Sequence, residues 1–238
     1  MRYKILQVPF DALTFNKALE TLHGFLQTER NHLVITPNPE CVMLAQRNKN
    51  FLHILKNADL TLVDGMGILL AARLKKLPIP ERVPGCDITQ ALLESSKGHS
   101  IYLLGAAPGI AEKAMYSLQK QGINVLAAHD GYFNEAAEPS IIEEIQSLKP
   151  DILIIGMGMP RQEEWAAANL HKMPCKITLC VGGSIDIFSG NVRRAPHMLR
   201  RLGLEWLYRL ITNPSRAKRM LSLPCFAWAI FYSIYYKV

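Results

Sequence analysis

Short apolar runs recur along the chain, each ending at a glycine or polar turn, with longer stretches of helical spacing between them. HLVI at 32–35, LTLV at 60–63, SIYLL at 100–104, residues 123–127, residues 152–155 and KITLCV at 176–181 are too short for helices. They are apolar on both faces, as strands inside a covered parallel sheet are. Helical spacing fills 40–57 with a break near Asn48, then 68–76, 87–97, 109–121, 139–148 and 160–171. Ahead of these, residues 3–8 predict a short strand or hairpin arm of open pairing, followed by a helix over 16–27. Alternation of this kind from about 32 to 190 predicts an α/β, Rossmann-like fold, a mostly parallel sheet covered by helices on both faces.

The turns gather the polar residues. Thr36 and Pro37 lead to Asn38 as N-cap and Pro39 at the first helical position. Asp64-Gly65-Met66-Gly67, the segment from Gly105 to Gly109, Gly156 and Gly158 before Pro160, and Gly182 and Gly183 before Asp186 follow the later runs. Asp87 and Gln90 have the spacing of a capping box. Thr36, Asn38, Asp64, Gly105, Gly156, Gln162, Gly182 and Asp186 therefore fall along the carboxyl edge of the sheet, where open α/β sheets bind ligands and helix starts face phosphate. One glycine turn alone fits a plain strand-to-helix connection as well. GxGxxG does not occur, which argues against a nicotinamide-dependent oxidoreductase.

At 238 residues and 49% hydrophobic, the chain suffices for one large domain or a domain plus an appendage. Charge divides it. Residues 1–192 carry 18 Lys and Arg against 19 Asp and Glu, whereas residues 193–238 carry nine against one. We therefore expect a catalytic α/β domain over 1–195 and a basic helical C-terminal appendage over 196–238, with Asn213 and Pro214 opening a new helix. On charge alone, nucleic acid, anionic lipid or a diphosphate substrate fits this segment. The run CFAWAIFYSIYYKV at 225–238 is too short to span a bilayer. It suits an interfacial helix inserting Phe226, Trp228, Phe231 and Tyr232, or a docking helix that covers the main domain. The first residues lack the apolar core of a secretory signal, so a cytoplasmic location is expected. Five cysteines without CxxC spacing read as reduced, mostly buried thiols, and with no Asp-x-Asp pair or ligand-spaced cluster no metal is expected.

In order, TPNPE at 36–40, VDGMG at 63–67, RVPGCD at 82–87, LLGAAPG at 103–109, GMGMPRQE at 156–163, VGGSID at 181–186, RRAP at 193–196 and GLEWLYRL at 203–210 resemble the WecG/TagA/CpsF family, glycosyltransferase family 26. Small departures are Arg161 in place of the common Lys, Ile185 in place of Phe, and Asn213 where an acid often precedes the proline. The resemblance implies an inverting, metal-independent transfer from a UDP-sugar, typically UDP-N-acetylmannosamine or its uronate. The implied acceptor is N-acetylglucosamine on a polyprenyl diphosphate.

Such a transfer needs a base for the acceptor hydroxyl and groups that hold the leaving diphosphate. Asp64 is the candidate base, with a helix-capping carboxylate as its competing role. By resemblance, Thr36 and Gln162 orient sugar and phosphate near Asp64. Arg82, Arg209, Arg216 and Arg219 meet the departing UDP, the last three from an appendage that folds over the site at the membrane. Asn38, Tyr132, Asp186 and Gly105, Gly156, Gly158, Gly182 and Gly183 are assigned to nucleotide and sugar binding. No cofactor and no nucleic acid partner is implied, self-association stays open, and the implied location is peripheral, at the inner face of the cell membrane. Another UDP-hexose or hexuronate with another lipid-linked acceptor is the nearest alternative. A non-enzymatic nucleotide-binding membrane module would explain the basic tail but not the polar sheet edge.

Overall fold

The computed structural model describes residues 1–214 and 217–236. Its centre is a six-stranded, all-parallel sheet in the order β4-β3-β8-β7-β5-β6. The strands are β3 (His32–Ile35), β4 (Leu60–Thr61), β5 (Ile101–Gly105), β6 (Val125–His129), β7 (Ile152–Gly156) and β8 (Ile177–Cys180). The arm at the N-terminus is a separate antiparallel hairpin, β1 (Arg2–Ile5) with β2 (Val8–Asp11). Arg2 and Asp11 tie it to the sheet edge, Arg2 donating to the carbonyl of Ala58 at 2.8 Å and Asp11 accepting from the Thr61 N–H at 2.9 Å.

Although the strands are apolar on both faces, alternate residues separate cleanly into two cores, as a period of two requires. Leu33, Ile35, Tyr102, Leu104, Leu153, Ile155 and Cys180 face one side. There they meet α2 (Pro39–Ala45), α3 (Lys49–Asn57), α4 (Met66–Leu74), α7 (Glu138–Leu148) and α8 (Arg161–Asn169). Val34, Ile101, Leu103, Ile152, Ile154, Ile177 and Leu179 face the other, against α1 (Phe15–Leu26), α5 (Gly85–Ser95), α6 (Ile110–Gln119) and α9 (Ser184–Phe188). Asn38 caps α2, accepting from the Cys41 N–H at 3.0 Å, and Asn48 starts α3 by accepting from Phe51 N–H at 2.9 Å. The second cap is the physical cause of the expected break.

Three strand ends touch through their backbones. A Cβ on Gly105 would stand 2.5 Å from the carbonyl carbon of Gly156, and one on Gly156 would stand 2.7 Å from the Gly182 oxygen. Gly105 also has φ +143°, so both space and conformation demand glycine there.

Two local expectations change. α5 begins at Gly85 behind Pro84, so Asp87 lies inside the first turn and makes no capping box; its carboxylate pairs with Arg194 and Arg200 instead. Asn213 is the C-cap of α11 (Glu205–Thr212), and the start of the next helix expected there falls on Ser215 and Arg216, outside the described residues.

The C-terminal segment continues through α10 (His197–Arg201), α12 (Ala217–Met220) and α13 (Ser222–Tyr235). α13 packs against α2 and α4, burying Phe226, Ile230 and Ser233, with the Lys75 ammonium donating to the Ser233 hydroxyl at 2.8 Å. This corrects the expectation that Phe226 enters lipid, since it is 4% exposed in the main core while Trp228, on the outer face, is 69% exposed. The helix is apolar all round because one face docks and the other stays open. No helix among the described residues is long and apolar enough to cross a membrane. Four cysteines are buried and Cys225 is exposed.

If α13 is held by this seam, Phe226→Ala should lower the stability of the full chain by about 3–5 kcal/mol, the scale for emptying a buried phenylalanine site. Trp228→Ala should change it by less than about 0.5 kcal/mol. Urea unfolding of both variants checks this, and a Phe226→Ala curve that overlays wild type would show that the seam carries no stability.

Candidate active site

Asp64 follows β4 at the carboxyl edge, where the chain turns through Gly65 at φ +93° into α4. Gly65, not Asp64, is the N-cap of α4, and that helix start has no side-chain cap bond. The capping role that competed for Asp64 is thereby excluded. Asp64 is half-buried in the wall of a cleft. Loss of solvation raises its pKa to about 6, against the lowering pull of Arg209 and Arg82, with Glu205 and Asp87 adding to the rise.

Asp64 stands in a cleft whose floor is the sheet edge and whose roof is the basic segment. Asn38, Pro39, Glu40, Gly65, Gly67, Arg82, Gly85, Ser184 and Arg194 line the floor, and Gly203, Glu205, Trp206, Arg209, Met220 and Leu223 line the roof. Gly203 lets these layers close, and Gly67 lets α4 approach α2 within the floor. A Cβ at Gly203 would come 2.8 Å from Met66, and one at Gly67 would come 2.7 Å from Pro39.

The expected arginines converge here with partners already engaged. Arg82 donates to the Arg200 carbonyl, Arg209 pairs with Glu205 one turn away, and Arg219 grips both oxygens of Glu40 at 2.7 and 3.2 Å. Arg216 lies outside the described residues.

Thr36 sits below the cleft floor, donating to the Cys180 carbonyl at 3.2 Å, and a Cβ on Gly85 would lie 2.7 Å from its hydroxyl oxygen. Gln162, 5% exposed, accepts from the N–H groups of Gly158 at 3.2 Å and Gly182 at 3.1 Å and donates to Glu163 at 2.7 Å. Its amide thus joins the turns after β7 and β8 instead of opening into the cleft. The backbone contacts described above account for Gly105 and Gly156. Gly158 and Gly182 take left-handed backbone at φ +79° and +54°. Gly183 has ordinary room, 3.7 Å from Asp186 Oδ2 to its would-be Cβ. Tyr132 is 74% exposed on a loop that Arg161 clamps, donating to the carbonyls of Gly131 at 2.6 Å and Phe133 at 2.8 Å. Of the expected site residues, the cleft itself gathers Asp64, Asn38, Arg82 and Arg209, with Arg219 at its rim through Glu40.

Sequence reasoning passed over four residues. Glu40 and Glu205 supply carboxylates to the cleft, and Glu205 carried a signal as the single acid of the basic segment. Glu163 is buried, with one oxygen lacking a hydrogen-bond partner among the described residues, and burial pushes its pKa up to about 7. Arg194 stands in the quoted RRAP run, and the structure puts its guanidinium in the cleft wall. Among the described residues no group of three or more His, Cys, Asp or Glu could hold a metal ion.

Residues 3–237 match the Glycosyl transferase WecG/TagA/CpsF family. Two proteins from Staphylococcus aureus, strains MRSA252 and NCTC 8325 / PS 47, are 32% identical to the chain over 230 residues, covering 95% of it and 91% of each relative. Both are named N-acetylglucosaminyldiphosphoundecaprenol N-acetyl-beta-D-mannosaminyltransferase. A parallel sheet whose carboxyl edge and basic C-terminal segment enclose one carboxylate among arginines, matched over nearly its whole length, belongs to the WecG/TagA/CpsF family of glycosyl transferases.

Proposed function

We propose that the chain transfers N-acetylmannosamine, or its uronate, from UDP to the N-acetylglucosamine of a polyprenyl diphosphate, with inversion at the anomeric carbon. The observation that carries this is Asp64, a carboxylate with a pKa of about 6 facing arginines from both the core and the basic segment. Asp64 takes the proton of the acceptor hydroxyl as its oxygen bonds to the sugar's anomeric carbon, and the bond from that carbon to UDP breaks with its electron pair leaving on the diphosphate. Arg82 and Arg209 stand where that charge develops, and Arg219 and Arg216 follow in the same segment. Thr36 and Gln162 act by holding the strand-end turns around Asp64. Asn38 contributes from the cleft wall. Tyr132, Asp186 and the glycines belong to the adjoining sheet edge, where the nucleotide would extend.

With Asp64 as base, kcat/KM should rise as pH is raised through about 6 and then level, because only the deprotonated carboxylate accepts a proton. Asp64→Asn should lower transfer by about 100-fold or more above about pH 7, with the difference narrowing as pH falls below about 6, while UDP affinity, read by calorimetry, stays within a few fold. Near-wild-type turnover in the variant would place the base elsewhere, and full UDP binding with no transfer in the wild type would favour a binding module.

Transfer should also be metal-independent, since arginines and helix starts take the place of a cation. Dialysis against EDTA should leave the rate unchanged. A large loss that magnesium or manganese restores would defeat this claim.

For a lipid-linked acceptor the enzyme must work at a membrane surface, and we place it peripherally on the cytoplasmic side. Support comes from the outer face of α13, where Trp228, Phe231, Tyr232, Tyr235 and Tyr236 are exposed beside the basic run. Trp228→Ser with Phe231→Ser should weaken co-sedimentation with anionic vesicles by about tenfold or more, on the scale of burying two aromatic side chains. Unchanged co-sedimentation would remove α13 as the membrane contact.

A further inference from the structure

The sequence assigns Arg194 no role, and its surroundings do. It lies in the loop between α9 and α10, anchored on one side by Val192 N–H to the Asp186 carbonyl at 3.1 Å and on the other by Arg200 Nε to the Ala195 carbonyl at 3.1 Å. Ala195 between these anchors is buried, so the neighbouring side chain at 194 is fixed in direction. Arg194 lines the same cleft as Asp64, Arg82 and Arg209.

Its electrostatic setting differs from that of the other cleft arginines. Arg82 donates to a backbone carbonyl and has no carboxylate partner among the described residues, and Arg209 and Arg219 are matched by Glu205 and Glu40. Arg194 Nη2 stands 2.6 Å from Asp87 Oδ1, an ion pair by distance, but that oxygen is shared with Arg200 Nη1 at 3.4 Å. Nη2 is thus held by Asp87, while the buried Nε has no hydrogen-bond partner among the described residues. Asp87 engages one edge of a guanidinium that lines the cleft, and the planar fork has further N–H groups that match phosphate oxygens in pairs.

Building on the proposed UDP-sugar reading, we infer that Arg194 binds the diphosphate of the donor in this cleft. Asp87 is a positioning residue that sets the guanidinium from behind. Because Arg194 belongs to the loop between α9 and α10, the donor phosphates have a cationic contact that does not depend on α11 or α12.

The test uses the full chain and three variants, Arg194→Met, Arg194→Lys and Asp87→Asn, titrated with UDP by calorimetry and with uridine by ligand-observed NMR. Thermal melting establishes that each variant is folded. Arg194→Met should weaken UDP by at least about tenfold, the scale of one lost charge-assisted contact, and leave uridine unchanged. Arg194→Lys keeps the charge without the fork and should fall between. Asp87→Asn should weaken UDP less than Arg194→Met does, again with uridine unaffected. UDP affinity within twofold of wild type in folded Arg194→Met and Arg194→Lys overturns the assignment. So does a parallel loss of UDP and uridine, which marks a structural role. Wild-type protein that binds no UDP overturns the donor reading itself, and this inference with it.

Discussion

Keeping a carboxylate ionisable while protein closes around it is the constraint on which the cleft depends. A group withdrawn from water loses solvation of its charged form, and nearby cations offset only part of that loss. For Asp64 the offset comes from Arg82 below and Arg209 above, while Glu205 and Asp87 act against it, and the balance leaves the pKa near 6. Two of these four groups belong to the core and two flank the roof, so the properties of Asp64 are set jointly by the sheet and the basic segment. The glycines serve the same end. Gly65 turns the chain so that Asp64 is released from capping, Gly203 removes the side chain that would hold the roof off Met66, and Gly67 lets α4 approach Pro39 of α2.

A second constraint sits two and three strands from β4. The turns after β7 and β8 are joined by the Gln162 amide, which uses both lone pairs of its oxygen on Gly158 and Gly182 and one N–H on Glu163. Inside a protein such a network is rigid when satisfied and costly when broken. Gln162 therefore affects the cleft through backbone placement. Glu163 fixes which end of the amide points at the glycines, since a carboxylate oxygen accepts only from the nitrogen end.

The sheet was legible in the sequence because its strands are short, apolar on both faces and separated by strong turn residues. Asn38 announced a helix start by side-chain chemistry that acts locally, the pattern showed a break near Asn48 without its cap, and Asp64 stood out because a carboxylate at a strand end with glycines beyond it has few structural uses. What stayed hidden depends on contacts far along the chain. Asp87 has the spacing of a capping box, yet Pro84 starts α5 earlier and Arg194, more than 100 residues later, takes its carboxylate. Phe226 reads the same as Trp228 in a segment apolar all round, where periodicity gives no preferred face, so only packing against α2 and α4 distinguishes the docked side from the open one. The glycines at 105 and 156 looked like ligand contacts because close backbone approach has one sequence signature whether the neighbour is a phosphate or another strand.

What holds the basic segment down differs from what it holds. The Arg219 to Glu40 pair is partly exposed, 44% and 19% by side chain, and exposed pairs of this kind contribute at most about 1 kcal/mol. Burial of Phe226 and Ile230 contributes more, about 1.5–3 kcal/mol for each side chain fully removed from water. The apolar seam along α13 therefore fixes the roof, and the ion pairs beneath it are free to be exchanged at small cost. Under the proposed reading, a diphosphate entering the cleft would give Arg209 and Arg219 phosphate oxygens in place of Glu205 and Glu40 without disturbing that seam. Glu205 and Glu40 then keep the arginines extended toward the site before the ligand arrives, so less side-chain freedom remains to be lost when it binds.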